Sequence, residues 1–480
     1  MRVRFPGALG MGEGEYVLPD AVTADSRKVV RGGVFVAVPG TRCDGSRFIP
    51  DAVAAGVSVI IGRERPSDLP ETVRFFPSPD PARAYAYLVR EREGRPDEKL
   101  SLFGVTGTNG KTTTAWLWEH LLRETGVPCG LLSTIEFRDG KVTCPATHTT
   151  PDPDSLFGAL LRMAENGCRA AALELSSHAL DQGRACGARF RAAVFTNCTG
   201  DHLDYHGDME HYYLAKKRLF TELLAPEGIA VLNGDDPWCR RLAAEIGARK
   251  LTFGVSQDVM VRLAMEEGTA DGTRFTLKGS GVDFSCFLPL IGAHNVCNAA
   301  GVILSLLDFG IPADRIAEVL AKPFAIPGRL EHVVSPRGAH FFVDFAHTDD
   351  ALVRVLSALR ALKPKRLWAV FGAGGDRDTT KRPRMGRAAA EHADKLLVTS
   401  DNPRSEEPLE IIRAIVSGIP EGTDCTVEPD RAKALRFAAE HAGEGEIVLV
   451  AGKGHENYQE IKGVKYPFGD RACLEEFFSR

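Results

Sequence analysis

The stretch Leu100-Ser-Leu-Phe-Gly-Val-Thr-Gly-Thr-Asn-Gly-Lys-Thr-Thr-Thr-Ala-Trp-Leu-Trp-Glu-His-Leu-Leu-Arg-Glu-Thr125 decides the fold. Its opening run, Leu100–Val105, is apolar and reads as a buried strand. A glycine-rich turn follows, and Thr112–Thr125 then carries apolar residues at helical spacing. Strand, Gly-Lys-Thr turn and helix in that order are the context of a phosphate-binding loop. Glycines let successive backbone N–H groups wrap a phosphate, and the helix N-terminus adds its partial positive charge. Gly107, Thr108, Asn109, Gly110, Lys111, Thr112 and Thr113 are therefore the candidate residues for binding ATP or GTP. Lys111 is placed to reach the β- and γ-phosphates, and Thr112 to hold Mg²⁺. The strict form of the motif has glycine where Val105 stands; here Gly104 and Gly107 flank that position. The loop specifies a nucleoside triphosphate and leaves open what its hydrolysis drives.

Working outward, further apolar runs stand at Ala170–Leu175, Ala192–Thr196 and Ile229–Leu232, with helical stretches between them. Such alternation predicts a parallel sheet covered on both faces. Upstream, short β-like runs at Val34–Val38 and Val57–Ile61 are punctuated by Pro39-Gly40 and Asp44-Gly45. The charged segment Glu91–Lys99, with Gly94 and Pro96, reads as a linker. Downstream, strand candidates Phe341–Phe345, Leu367–Phe371, Lys395–Thr399 and Glu446–Val450 alternate with helical stretches such as Ala351–Leu362. They predict a second α/β unit, with Pro327-Gly328 as a hinge near the junction. The expected blocks are 1–96, 97–331 and 332–480.

Of the 480 residues, 44% are hydrophobic and 26% charged, as in an ordinary globular protein. A net charge of −5 provides no global basic field to draw nucleic acid or an anionic membrane, so a phosphate-bearing ligand must be caught locally. The 11 cysteines are scattered without a Cys-x-x-Cys pair and read as reduced intracellular thiols. Met1 to Asp20 lacks the apolar core of a secretory signal. No apolar run approaches the roughly 20 residues that cross a bilayer. The expectation is a cytoplasmic monomer with small-molecule substrates and neither nucleic-acid nor membrane partners.

Other stretches carry a resemblance. Asp201-His-Leu-Asp-Tyr-His-Gly207 with Tyr213-Leu-Ala-Lys-Lys-Arg-Leu-Phe220, His294-Asn-Val-Cys-Asn-Ala-Ala300, Pro327-Gly-Arg329 and Val343-Asp-Phe-Ala-His-Thr348 resemble, in order, the signatures of the Mur ligase family. Gly107–Thr113 has the form seen in those ligases and in folylpolyglutamate synthases. Asp401-Asn-Pro-Arg404 and Gly452-Lys-Gly-His-Glu456 are similar to C-terminal motifs of the family member that adds the third amino acid to a UDP-linked cell-wall precursor. The resemblance covers essentially the whole chain. It implies three α/β domains: an N-terminal UDP-binding domain, a central ATPase-like parallel-sheet domain and a C-terminal Rossmann-like domain. It also implies an ADP-forming ligase of peptidoglycan synthesis that adds meso-2,6-diaminopimelate to UDP-N-acetylmuramoyl-L-alanyl-D-glutamate through an acyl phosphate.

The resemblance assigns roles residue by residue. Glu174, at the end of an apolar run, is a plausible Mg²⁺ ligand beside Thr112, and His202 a ligand of a second Mg²⁺. Lys216 aligns with a lysine carbamylated by CO₂. The physical logic is that a bare ammonium near two Mg²⁺ is repelled, whereas a carbamate offers two anionic oxygens suited to hard cations. Lys111, Lys216 and His202 are thus the catalytic set. Asn295 is expected at the adenine, and Arg329 and Asp344 at the ribose and phosphates. The UDP-precursor contacts fall on Ser26, Thr41, Arg42, His148, Thr149, Thr150, Ser176, Gln182 and Arg184, although the family often carries a different run after Gly40 than Thr41-Arg42-Cys43. Diaminopimelate is assigned to Arg377, Asp401, Asn402, Pro403, Arg404, Gly452 and Glu456. Its distal carboxylate distinguishes it from lysine, and Arg404 can grip that carboxylate with two parallel hydrogen bonds.

Two other readings stay open at this point. One is a related ligase that adds L-lysine, or a folylpolyglutamate-type ligase. The other is a regulatory protein using the loop as a nucleotide switch, which has no need of Glu174, His202 and Lys216 together with an amine-binding site.

Overall fold

A computed structural model of the chain describes residues 1–5, 7–9, 15–40, 43–266, 268–269 and 271–479. Thr41 and Arg42, expected at the UDP-precursor, lie outside the described residues. The chain divides into two compact units, residues 1–252 with 304–309, and residues 253–303 with 310–480.

In the first unit the strand Ser101–Thr106 is flanked in parallel by Ala170–Glu174 and Phe190–Phe195. Cys129–Leu132 and Leu224–Asn233 extend the sheet on either side, also in parallel. These strands are buried throughout most of their length, as a sheet covered on both faces requires. The helix Lys111–Glu124 follows directly on the turn after the first of them. A smaller parallel sheet, Val22–Thr23, Val34–Val36, Val59–Gly62 and Arg74–Pro77, precedes it. One apolar core joins the two: Val36 and Ile61 belong to the same cluster as Leu102, Leu173 and Phe195.

The segment 91–99 is not a loose linker. Arg90 is buried and donates from Nε and Nη2 to the two oxygens of Asp97, at 2.8 and 2.9 Å, and from Nη1 to Glu91 at 2.9 Å. Pro96–Lys99 forms a 3-10 turn around this contact. A run of charges that wraps one buried guanidinium has the same composition as a solvated tether, which is why the sequence reads as one.

In the second unit the strands His340–Asp344, Glu446–Ala451, Arg366–Phe371, Lys395–Val398 and Cys425–Val427 lie in that order, all parallel. Side chains alternate across the sheet. Leu367, Ala369 and Phe371 enter one core, Trp368 and Val370 the other. A three-stranded antiparallel meander, Val261–Met265, Thr273–Gly279 and Val282–Leu288, belongs to the same unit.

The ends of two central strands are tied by a buried ion pair. Arg431 and Asp470, whose side chains are both 0% exposed, pair through two bonds of 2.7 Å. The same guanidinium donates to Ser400 O at 3.2 Å and Ala451 O at 2.9 Å, just where the strands release the 401–404 and 452–456 loops. Arg431→Met leaves a carboxylate buried without its partner, so a loss of about 3–5 kcal/mol is expected. Urea denaturation of the full chain measures it, and a loss below about 1 kcal/mol would contradict this role.

No helix of the described residues is long and apolar enough to cross a membrane.

Candidate active site

The loop after Ser101–Thr106 is braced from the end of the neighbouring strand. Asn109 N donates to Asn197 Oδ1 at 3.0 Å, while Thr196 Oγ1 and Asn197 Nδ2 donate to Asn109 O at 2.6 and 3.1 Å. Gly107 is glycine for a steric reason: at φ 153° a Cβ would stand 1.9 Å from Thr196 Oγ1. Lys111 Nζ folds back to Gly107 O and Thr108 O, each at 2.8 Å. Those bonds hold the ammonium over the curve of the loop backbone. Thr108 Oγ1 reaches Thr199 O at 3.1 Å and the Tyr212 hydroxyl at 3.2 Å. Thr113 is buried in the first helical turn.

Behind the loop, oxygen donors converge on Glu174, which is 1% exposed. Its Oε2 accepts from Thr112 Oγ1 at 3.1 Å and Thr134 Oγ1 at 3.0 Å, and its Oε1 from Thr134 N at 2.8 Å. Thr149 Oγ1 lies 3.1 Å from Thr134 Oγ1, and Thr150 Oγ1 donates to Glu174 O at 2.8 Å. Ser176 caps the helix Ser177–Asp181 and its N–H donates to Thr150 Oγ1. Arg184 donates to Thr150 O at 2.6 Å and holds Gln182 Oε1 at 2.8 and 3.1 Å. Gln182 passes the chain on to Tyr205 at 3.2 Å. Every central-block residue expected at the precursor thus joins one network except His148, which is exposed and whose one hydrogen bond among the described residues is with Thr147, at 3.2 Å.

Tyr212 lies between His202 and Lys216. The Lys216 ammonium sits 4.2 Å from the Tyr212 ring centroid, and the His202 ring 6.5 Å from it. Lys216 is 1% exposed; burial, reinforced by the charge of Lys111, pulls its pKa down to about 7. His202 keeps 48% of its side chain exposed; the protein packed around the rest of the ring lowers its pKa, with Asp201 opposing. His202 takes the left-handed conformation at φ 55°, uncommon outside glycine, and stacks edge-on against His178 at 4.8 Å. Among the described residues no three His, Cys, Asp or Glu side chains gather tightly enough to hold a metal ion by themselves.

In the second unit, Asp344 accepts Leu330 N and Ala346 N, each at 2.8 Å, and burial raises its pKa above the ordinary carboxylate value. The Arg329 guanidinium lies 4.9 Å from the Phe345 ring centroid. Asn295 is buried and donates to Ile291 O at 2.8 Å. Those three nucleotide candidates therefore sit on ordered backbone, two of them side by side.

The Asp401–Arg404 loop leaves the C-terminal end of Lys395–Val398, where open α/β sheets bind ligands. Arg404 is left-handed, φ 52°, and donates from Nη1 to Gly375 O at 2.6 Å, with Glu460 Oε2 3.6 Å from its Nε. A Cβ on Gly374 would lie 2.9 Å from Arg404 Nη1 and 3.8 Å from Arg377 Cγ, so the Arg404 guanidinium and the stem of Arg377 both pass this glycine. Pro403 O receives the N–H of Glu406 at 3.0 Å, closing the turn. Gly452, φ 114°, leaves room for Asp401, whose Oδ2 would be 2.3 Å from a Cβ. Asn402 Nδ2 donates to Glu456 Oε2 at 2.7 Å. A two-stranded hairpin, Tyr458–Ile461 with Val464–Pro467, docks on this loop through Arg404 N to Glu460 O at 3.0 Å.

At the N-terminal end, half-buried Ser26 opens a 3-10 turn capped by Asp25. Arg27 grips that carboxylate at 2.8 and 2.9 Å and holds its pKa down at about 2. Sequence reasoning gave no role to Thr134, Asn197, Arg431 or Lys453. Only Lys453 carried a signal, standing inside the Gly452–Glu456 motif right after an apolar strand.

Family models match three stretches: "Mur ligase family, catalytic domain" residues 20–91, "Mur ligase middle domain" 105–306 and "Mur ligase, glutamate ligase domain" 328–454. The chain is 42% identical over 480 residues to the UDP-N-acetylmuramoyl-L-alanyl-D-glutamate–2,6-diaminopimelate ligase of Chlorobaculum tepidum, covering 98% of this chain and 94% of that one. It is 44% identical over 473 residues to the ligase of the same name from Parasynechococcus marenigrum, covering 95% and 94%. A solved structure of a ligase of that name superposes with a TM-score of 0.69 at 34% identity, over 96% of this chain and 94% of the other. A folylpolyglutamate synthase of Mycobacterium tuberculosis, 19% identical, shares the fold over 76% of this chain and 91% of its own, with a TM-score of 0.62. With near-complete relatives at this identity and all three family models matched in order, the chain belongs to the Mur ligase family.

Proposed function

We propose that the chain is an ATP-dependent, ADP-forming ligase that joins meso-2,6-diaminopimelate to UDP-N-acetylmuramoyl-L-alanyl-D-glutamate. The observation that carries this is the Asp401–Arg404 loop with its left-handed arginine at a strand's C-terminal end. It is supported by near-full-length relatives bearing that name. A glutamyl carboxylate oxygen attacks the γ-phosphorus of ATP, the bond to the β-phosphate oxygen breaks and ADP leaves. The amine of diaminopimelate then attacks the acyl carbon, loses a proton and expels phosphate. Lys111 and the loop N–H groups offset the charge on the transferring phosphoryl group. Arg184, beside Thr150, is suited to an anionic group of the precursor.

The donors fit Mg²⁺. Thr112 Oγ1 and Glu174 Oε2 lie 3.1 Å apart, close to the roughly 2.9 Å between adjacent oxygens in an octahedron of 2.0–2.1 Å bonds. Mg²⁺ is commonly held by one or two carboxylates and the substrate's phosphates, so a sparse protein shell is what it needs. When bound, it offsets repulsion between carboxylate and triphosphate. His202 and Lys216 as a carbamate are proposed for a second ion. A lysine whose pKa burial brings to about 7 has a large neutral fraction at that pH, and the neutral amine is the form that adds to CO₂. The N–C bond forms and a proton leaves to water. The protein works in the cytoplasm as a monomer.

Arg404→Ala tests the amino-acid site. The KM for diaminopimelate should rise roughly tenfold to a hundredfold, the worth of a charge-assisted pair, while the KM for ATP changes by less than about twofold. An unchanged KM for diaminopimelate would remove Arg404 from the site.

A further inference from the structure

We propose that Lys453 is a positioning residue for the amino-acid substrate, acting through Asn402 and Glu456. Lys453 leaves the strand Glu446–Ala451 one residue after Gly452, and its side chain is 0% exposed. Its ammonium donates to Asn402 Oδ1 at 3.2 Å, to Glu456 Oε2 at 3.2 Å and to Tyr458 O. An ammonium has three protons, and all three are used.

The consequence falls on Asn402. Its amide could face either way, and the surrounding donors decide. Oδ1 receives both Lys453 Nζ and Glu460 N, the latter at 2.9 Å. Nδ2 is thereby turned to Glu456 Oε2 at 2.7 Å. Glu456 Oε2 accepts from Asn402 and from Lys453, while its Oε1 accepts no hydrogen bond among the described residues. Lys453 therefore fixes Oε2 of the carboxylate and leaves Oε1 for an incoming ammonium. Burying an ammonium is costly, and packing alone gives no reason for it where a methionine of similar shape fits. The inference rests on the reading that Asn402, Arg404 and Glu456 hold diaminopimelate.

Lys453→Met removes three donors and the charge, and frees the amide of Asn402 to turn. In the full chain with ATP, Mg²⁺, precursor and meso-diaminopimelate, the KM for diaminopimelate should rise roughly tenfold or more, with the KM for ATP within about twofold. Lys453→Gln keeps a shorter neutral donor and should recover part of the loss. In a Glu456→Gln background, Lys453→Met should add much less. Equal rises in every KM, a fall in kcat alone, or full additivity with Glu456→Gln would overturn the proposal. If Lys453→Met does not fold, Lys453→Gln carries the test, and an unchanged KM for diaminopimelate there overturns it. Arg404→Ala and Glu456→Gln separate the two ideas. If neither moves the KM for diaminopimelate, the site reading fails; if both do and the Lys453 variants do not, only the positioning role fails.

Discussion

Lys111→Met should lower kcat by roughly 10²–10³ and leave folding nearly untouched, the loss expected when one preorganised charge is removed from a phosphoryl-transfer site. The side chain donates to Gly107 O and Thr108 O, in a turn whose Gly107 is buried and whose Thr108 is half-buried. Removing those two bonds costs about 1 kcal/mol of stability, small beside the loss in rate. The loop itself keeps its shape through Thr196 and Asn197, which brace Asn109 independently of the lysine. The two measurements, phosphate release at saturating substrates and thermal melting, should therefore diverge. A large drop in melting temperature with a rate loss below about tenfold would make Lys111 a structural residue.

Lys216→Arg should be as damaging, on the order of 10²–10³ in kcat, because a guanidinium stays protonated and cannot become a carbamate. Arginine keeps the positive charge, so electrostatics alone would predict little change. Lys216→Ala should lose a similar factor and be partly restored by acetate, a small carboxylate able to enter the vacated space. The environment supports this reading. An ammonium 1% exposed and 4.2 Å from an aromatic centroid is held at a desolvation cost that folding alone does not require. Full activity in Lys216→Arg would end the carbamate proposal. Loss in both variants with no response to acetate would leave Lys216 as an ammonium acting by charge and shape.

How much of this was legible in the sequence differs by element. Ser101–Thr106 and Lys111–Glu124 fall within a residue or two of the apolar run and helical stretch read from sequence, because their lengths and periods are unambiguous. The second-unit strands followed for the same reason. The antiparallel meander did not: Val261–Met265 and Thr273–Gly279 alternate buried and exposed positions, so neither forms the continuous apolar run by which the parallel strands stand out. At the site, short-range signatures were readable, as in Gly107–Thr113 and Asp401–Arg404. Residues whose meaning depends on distant partners were not. Arg431 looks like any helix charge until Asp470, 39 residues on, closes around it. Thr134 bears no motif, yet it donates to Glu174 from both its N–H and its hydroxyl. Charge in a sequence does not say whether it ends in water or in the core, and that distinction also hid Arg90 and Lys453.

The central claim is an amide ligation that requires both a carboxylate and an amine substrate and chooses the amine by its distal carboxylate. The most direct test is phosphate release from ATP and Mg²⁺ with UDP-N-acetylmuramoyl-L-alanyl-D-glutamate, comparing meso-diaminopimelate with L-lysine. The expected result is negligible release without an amine, rapid release with diaminopimelate and little with lysine. Release with lysine and none with diaminopimelate would contradict the role of Arg404, and release with neither would contradict the proposed reaction itself.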